Sequence, residues 1–90
     1  MKSVYADNNA TTRTAPEVVE EMLPYFSDLY GNPSSMHYFG GQVETKVVEA
    51  REQVARLLNC EPSEIIFTSC GTESDSTAIR GTLGSYPDKK

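Results

Sequence analysis

The chain has 90 residues and a formal net charge of −5, with 38% hydrophobic and 23% charged positions. That balance is ordinary for a globular chain and excludes a collagen-like or disordered polymer. It also leaves no basic footprint for nucleic acid and no lysine–arginine cluster for an anionic membrane.

A chain this short hides only about 60–65% of its unfolded surface, so one small domain with a modest core is the upper bound. No apolar run reaches the roughly 18 residues of a membrane span, and the start lacks the apolar stretch of a secretory signal. Cys60 and Cys70 have neither CxxC spacing nor a His-x-His partner. Two reduced thiols in a cytoplasmic protein are expected, with no disulfide framework and no metal site.

In chain order, Val4-Tyr5 is a short extended segment, ended by the turn-favouring run Asp7-Asn8-Asn9. Pro16 occupies a first helical position, with Thr14 as the expected cap and Glu17 in the first turn. Val18/Val19, Met22/Leu23, Phe26 and Leu29 then recur at helical spacing, and Pro24 is expected to kink or split that helix near Glu21. Gly31-Asn32-Pro33-Ser34-Ser35 reads as a loop.

A second helix is predicted from about Gly40 to Leu58, with Val43, Val47, Ala50, Val54 and Leu57/Leu58 on its apolar face. Glu44, Lys46, Glu49, Arg51, Glu52 and Arg56 fall on the opposite face, and Asn59 is the expected stop. Ile65-Ile66-Phe67-Thr68 suits a buried strand. A third helix should start near Gly71, pass through Ala78, Ile79 and Leu83, and end around Gly84 and Pro87. One buried strand cannot make a sheet by itself, so this order suits the opening of an α/β fold, and the chain reads as truncated.

Thr68-Ser69-Cys70-Gly71-Thr72-Glu73-Ser74 is the most informative stretch: a strand ends, a turn with glycine follows, and a helix begins. Such a helix start offers unpaired N–H groups and partial positive charge to a phosphate. Gly71 allows close backbone approach, and Thr72 adds a hydroxyl donor. The competing reading is that Ser69 or Thr72 only caps the helix, with Glu73 helping in its first turn. A P-loop is excluded, because no Lys follows the glycine. Asp7-Asn8-Asn9-Ala10-Thr11-Thr12 and Gly31-Asn32-Pro33-Ser34-Ser35-Met36-His37 are two further dense polar loops, each ordinary turn chemistry when read singly.

Taken together and in this order, the three motifs resemble the N-terminal third of group I cysteine desulfurases. These are iron–sulfur enzymes of the class V aminotransferase family, within the fold type I pyridoxal-phosphate class. The resemblance runs from about Tyr5 to Gly81, and the forms Asp-Asn-Asn-Ala-Thr-Thr and Thr-Ser-Cys-Gly-Thr-Glu-Ser are similar to the nitrogen-fixation type.

It implies an α/β fold, with residues 1–40 as the arm, helix and loop of a small domain and residues 41–90 as the start of the cofactor-binding large domain and its sheet. It implies pyridoxal 5'-phosphate as cofactor, its phosphate held by Gly71 and Thr72. Asn8, Asn9, Ala10 and Thr11 would lie near the substrate pocket, and the Gly31–His37 loop near the active site or a dimer contact. The implied reaction turns L-cysteine into L-alanine and an enzyme persulfide. Its implied setting is a cytoplasmic homodimer that passes sulfur to an iron–sulfur scaffold protein.

No catalytic residue is assigned within the chain. The family's Ser-x-His-Lys pattern is absent, and His37 precedes Tyr38. The sulfur-accepting cysteine of the family lies further along, so Cys60 and Cys70 are not assigned that role. Ser76 and Thr77 depart from the Asn and apolar residue of many relatives. Two alternatives remain: another fold type I enzyme, such as a selenocysteine lyase, and a non-catalytic phosphate-binding module.

Overall fold

Proline opens both of the first two helices. The computed structural model describes residues 1–89, and its first helix, α1, is Pro16–Met22, followed by α2, Pro24–Ser27. Pro16 has no N–H to leave unpaired, which suits the first helical position. It also forces the residue before it into extended backbone, so the cap is Ala15, whose carbonyl accepts from the Val18 and Val19 amides at 3.0 and 3.1 Å. Thr14, the expected cap, lies one residue too early, and no side chain caps this helix. Pro24 splits the helical stretch as expected, but at Leu23. Leu23 keeps helical backbone angles, so the chain resumes as α2 without a loop.

The loop after α2 is held by its own polar groups. The Ser34 amide donates to Asn32 Oδ1 at 2.9 Å, and the Ser35 amide to the Asn32 carbonyl at 3.0 Å. The helix that follows, α3, is Tyr38–Leu58. It starts two residues before the expected Gly40, because His37 stands at its head and its Nδ1 accepts from the Gly40 amide at 3.3 Å. Loop and helix start touch backbone to backbone. A Cβ on Gly31 would lie 2.2 Å from the Phe39 carbonyl oxygen, and one on Gly40 would lie 2.4 Å from that of Ser35.

At its far end α3 stops as predicted. Asn59 takes the left-handed conformation, φ 55°. The Cys60 amide reaches the Ala55 carbonyl at 3.0 Å and the Asn59 amide that of Arg56 at 3.3 Å, the paired bonds of a Schellman stop.

A short 3-10 turn, Pro62–Glu64, leads into extended backbone at Ile65. The expected strand over Ile65–Thr68 carries no β-ladder, and no strand occurs among the described residues. An extended segment becomes a strand only against another strand. Arg51 holds this segment instead. Its guanidinium donates to the Ile65 carbonyl and lies 4.9 Å from the centre of the Phe67 ring. Arg51 was placed on the solvent face by its helical spacing; its stem and planar head make it a tether. The last helix, α4, is Gly71–Ser85, begun at the expected residue.

The chain divides into two compact units, Met1–Ala50 and the part from Arg51 on. Among the described residues the one buried apolar side chain is Ala55, 1% exposed. Val43, Val47 and Val54 of the predicted apolar face are half-buried, but Ala50, Leu57 and Leu58 stand exposed, Leu57 at 83%. On α4, Ile79 and Leu83 are also exposed. These stripes have the pattern of core faces without the neighbours that would cover them.

Candidate functional site

The turn into α4 is built by four side chains that bond one another. Thr68 Oγ1 and Ser74 Oγ lie 2.6 Å apart, and each is 3.2 Å from the Cys70 carbonyl oxygen, which also accepts from the Ser74 amide at 3.1 Å. This fixes the last extended residues against the first helical turn. On the other side of the turn, Glu73 reaches back: its Oε2 accepts from the Ser69 amide at 2.8 Å and from the Ser69 hydroxyl. Both donors hold the Glu73 carboxyl below the usual carboxylate range, so it is ionised at neutral pH.

Neither expected cap is in place. The N-cap residue is Cys70, with no side-chain cap bond. The Ser69 amide donates to Glu73, and its hydroxyl faces both Glu73 and, at 3.8 Å, Cys70 Sγ. Among the described residues the Thr72 hydroxyl donates to no oxygen, facing the Cys70 sulfur instead. Among the described residues no carbonyl or carboxylate accepts from the Gly71 and Thr72 amides. A Cβ placed on Gly71 would meet nothing within 4 Å. The helix therefore opens on donors, partial positive charge and room beside the backbone, the set a phosphate needs. The same environment acts on Cys70. The Glu73 amide first and the Ser69 hydroxyl second lower its thiol from the ordinary value, with Thr72 contributing less.

Beside the turn runs a groove of about 390 Å³, its apolar wall formed by Val54, Leu58, Ile65, Phe67 and Ala78. That lining suits hydrocarbon, not an anion.

The second group of predicted residues forms a turn in the other unit. The Ala10 and Thr11 amides point to the Asp7 carbonyl at 3.0 and 3.4 Å, and Thr12 Oγ1 donates to the Asn8 carbonyl at 3.3 Å. Tyr5 pins the turn, its hydroxyl lying 2.8 Å from the Asp7 carbonyl oxygen and 3.2 Å from that of Thr11. Asn8, Asn9, Ala10 and Thr11 are thus brought together with one another in one exposed turn. Gly71 and Thr72 are adjacent in the first turn of α4, in the other unit.

Residue spacing did not reveal the Ser69–Glu73 and Thr68–Ser74 pairs. Hydroxyls and a carboxylate four to six positions apart across a strand-to-helix turn were the available signal. No group of three or more metal-binding side chains occurs among the described residues.

Comparison with known proteins gives consistent results. The aminotransferase class-V family matches residues 4–90. The cysteine desulfurase of Trichormus azollae is 60% identical over 90 residues, covering 100% of this chain and 22% of its own length. Cysteine desulfurase NifS of Azotobacter vinelandii is 56% identical over 91 residues, covering 100% of this chain and 23% of its own. A solved structure described as a NIFS-like protein superposes with a TM-score of 0.84 at 43% identity, over 93% of this chain and 23% of that one. The chain thus spans between a fifth and a quarter of the length of the relatives it matches.

Proposed function

Since the chain belongs to the aminotransferase class-V family, we propose that it is a segment of a pyridoxal-phosphate-dependent cysteine desulfurase and that it supplies the grip on the cofactor phosphate. The intact protein, in this reading, converts L-cysteine to L-alanine and an enzyme persulfide, acts as a cytoplasmic homodimer and delivers sulfur to an iron–sulfur scaffold protein. Its fold is α/β, with Ile65–Thr68 becoming the first strand of the sheet once partner strands lie beside it. Residues 1–40 belong to the small domain and residues 41–90 open the large one.

The observation that carries the reading is the start of α4 in a chain similar to cysteine desulfurases along its whole length. Among the described residues the Gly71 and Thr72 amides and the Thr72 hydroxyl have no oxygen acceptor, Thr72 facing only the Cys70 sulfur, and Gly71 leaves space beside them. These groups fit a phosphate dianion. The N–H groups hold it by charge-assisted hydrogen bonds, which are short and about twice as strong as neutral ones. Bound there, pyridoxal phosphate supplies an electron sink for cleaving the substrate's carbon–sulfur bond. This chain's part is to anchor and orient: the Thr68–Ser74 pair fixes the turn, and the amides of Gly71 and Thr72 set where the phosphate sits. The turn of Asn8, Asn9, Ala10 and Thr11 offers side-chain amides and hydroxyls to the substrate pocket.

Thr72→Ala in the intact enzyme tests the grip. One lost hydrogen bond to a charged group should weaken cofactor retention by about 1–2 kcal/mol, read as the dissociation constant for pyridoxal phosphate. Unchanged affinity would assign Thr72 to the helix alone.

A further inference from the structure

A carboxylate stands in the first turn of the helix proposed to hold a dianion, and its placement suggests a specific task. Left free, Glu73 at the third helical position would bring negative charge beside the phosphate and compete for the same first-turn donors. It is not free. Both hydrogen bonds to its Oε2 come from Ser69, the amide at 2.8 Å and the hydroxyl, upstream of the N-cap residue Cys70.

We propose that Glu73 and Ser69 together form a positioning clamp for the phosphate turn, holding the carboxylate back so that the Gly71 and Thr72 donors stay open to the anion. The clamp spans the turn from the residue before the cap to the third helical residue. It thus sets the direction of the two amides between them while taking the Glu73 carboxylate out of competition. This inference rests on the phosphate grip proposed above. Neither residue touches the cofactor in it; both act through the backbone of Gly71 and Thr72.

Three features follow. Ser69 and Glu73 act as a unit, so removing either one loses the same thing. The requirement is for an acceptor at Glu73, not for its charge. The effect concerns the phosphate only, so a ligand with the same ring and no phosphate is indifferent to it.

The experiment uses the full-length protein that contains this segment, with equilibrium binding of pyridoxal phosphate and of pyridoxal to the parent, Ser69→Ala, Glu73→Ala, the double variant and Glu73→Gln. We expect Ser69→Ala and Glu73→Ala each to weaken pyridoxal phosphate about tenfold, the scale of one hydrogen bond. The double variant should be no weaker than either single, the signature of coupled residues. Glu73→Gln keeps an oxygen for Ser69 and should bind at least as tightly as the parent. Pyridoxal affinity should not change in any variant. Additive losses, a Glu73→Gln variant as weak as Glu73→Ala, unchanged binding in both alanine variants, or equal losses for pyridoxal would each overturn the clamp. A parent that binds pyridoxal as tightly as pyridoxal phosphate would overturn the phosphate grip itself, which is a different result.

Discussion

Two helices of this chain begin next to a glycine, and the two glycines do opposite things. At the start of α3, Gly40 is buried, and a Cβ there would lie 2.4 and 2.6 Å from the carbonyl oxygens of Ser35 and Asn32. Its amide is satisfied by His37 Nδ1. At the start of α4, Gly71 is exposed, a Cβ would meet nothing within 4 Å, and its amide has no oxygen acceptor among the described residues. The first glycine is there so that the chain can touch itself; the second leaves a place where nothing of the chain is. A helix start closed by its own loop is a structural joint, and the one left open is where the phosphate grip is proposed.

The sharpest way to break that comparison is alanine at each position. Gly40→Ala forces backbone against backbone, and overpacking of that kind costs typically 1–3 kcal/mol. We expect about 2–3 kcal/mol lost in chemical denaturation of the intact protein. Full tolerance would mean the loop yields, and the contrast with α4 would dissolve. Arg51→Ala should cost about 1 kcal/mol, one hydrogen bond's worth, by releasing the Ile65–Phe67 segment that feeds the α4 turn. Hydrogen exchange at Ile66 and Phe67 would show it, and unchanged protection would reassign the tether.

Gly71→Ala should leave stability unchanged or raise it by up to about 1 kcal/mol, since alanine is the better helix former. It should still weaken retention of pyridoxal phosphate by crowding the approach to the turn. A variant that is stabilised and binds normally would remove the glycine from the proposed grip.

The smallest effect concerns Cys70. Its thiol is lowered from the ordinary value, chiefly by the Glu73 amide. A depressed thiol pKa means thiolate at pH values where an ordinary thiol is still protonated. The pH profile of Cys70 alkylation should therefore lie below that of a free thiol, the rate falling only as pH drops through the lowered pKa. An alkylation profile like that of an unstructured cysteine peptide would show that the first-turn amides do not face Cys70.

Much of the fold was legible because its signals are local. Pro16 marks a helix start through its missing N–H, and Pro24 marks a break that falls at Leu23 and not near Glu21. Asn59 marks a stop because it tolerates positive φ, and Gly71 stands at the head of α4 after the change from apolar run to helical spacing. The three polar motifs gave the family through their order and separation, which one turn alone could not do. Thr14 was misplaced by one residue because the proline beside it, not the hydroxyl, decides where the cap falls.

What could not be read from spacing depends on who sits opposite whom. Arg51 lies on a polar helix face by period yet holds the carbonyl of Ile65, fourteen residues on. Gly31 reads as part of a loop and Gly40 as a helix start, and only the fold lays that loop on the helix backbone. Ile65–Thr68 has a strand's composition but no neighbouring strand among the described residues. The sequence by itself determined which helices form, the stop of α3 at Asn59, the start of α4 at Gly71 and which family the chain resembles, because prolines, stop residues and motif order act within a few residues. Only the tertiary structure decided which glycine is a joint and which an opening, and that Ser69 answers to Glu73, because these depend on distances between groups that the chain must fold to bring together.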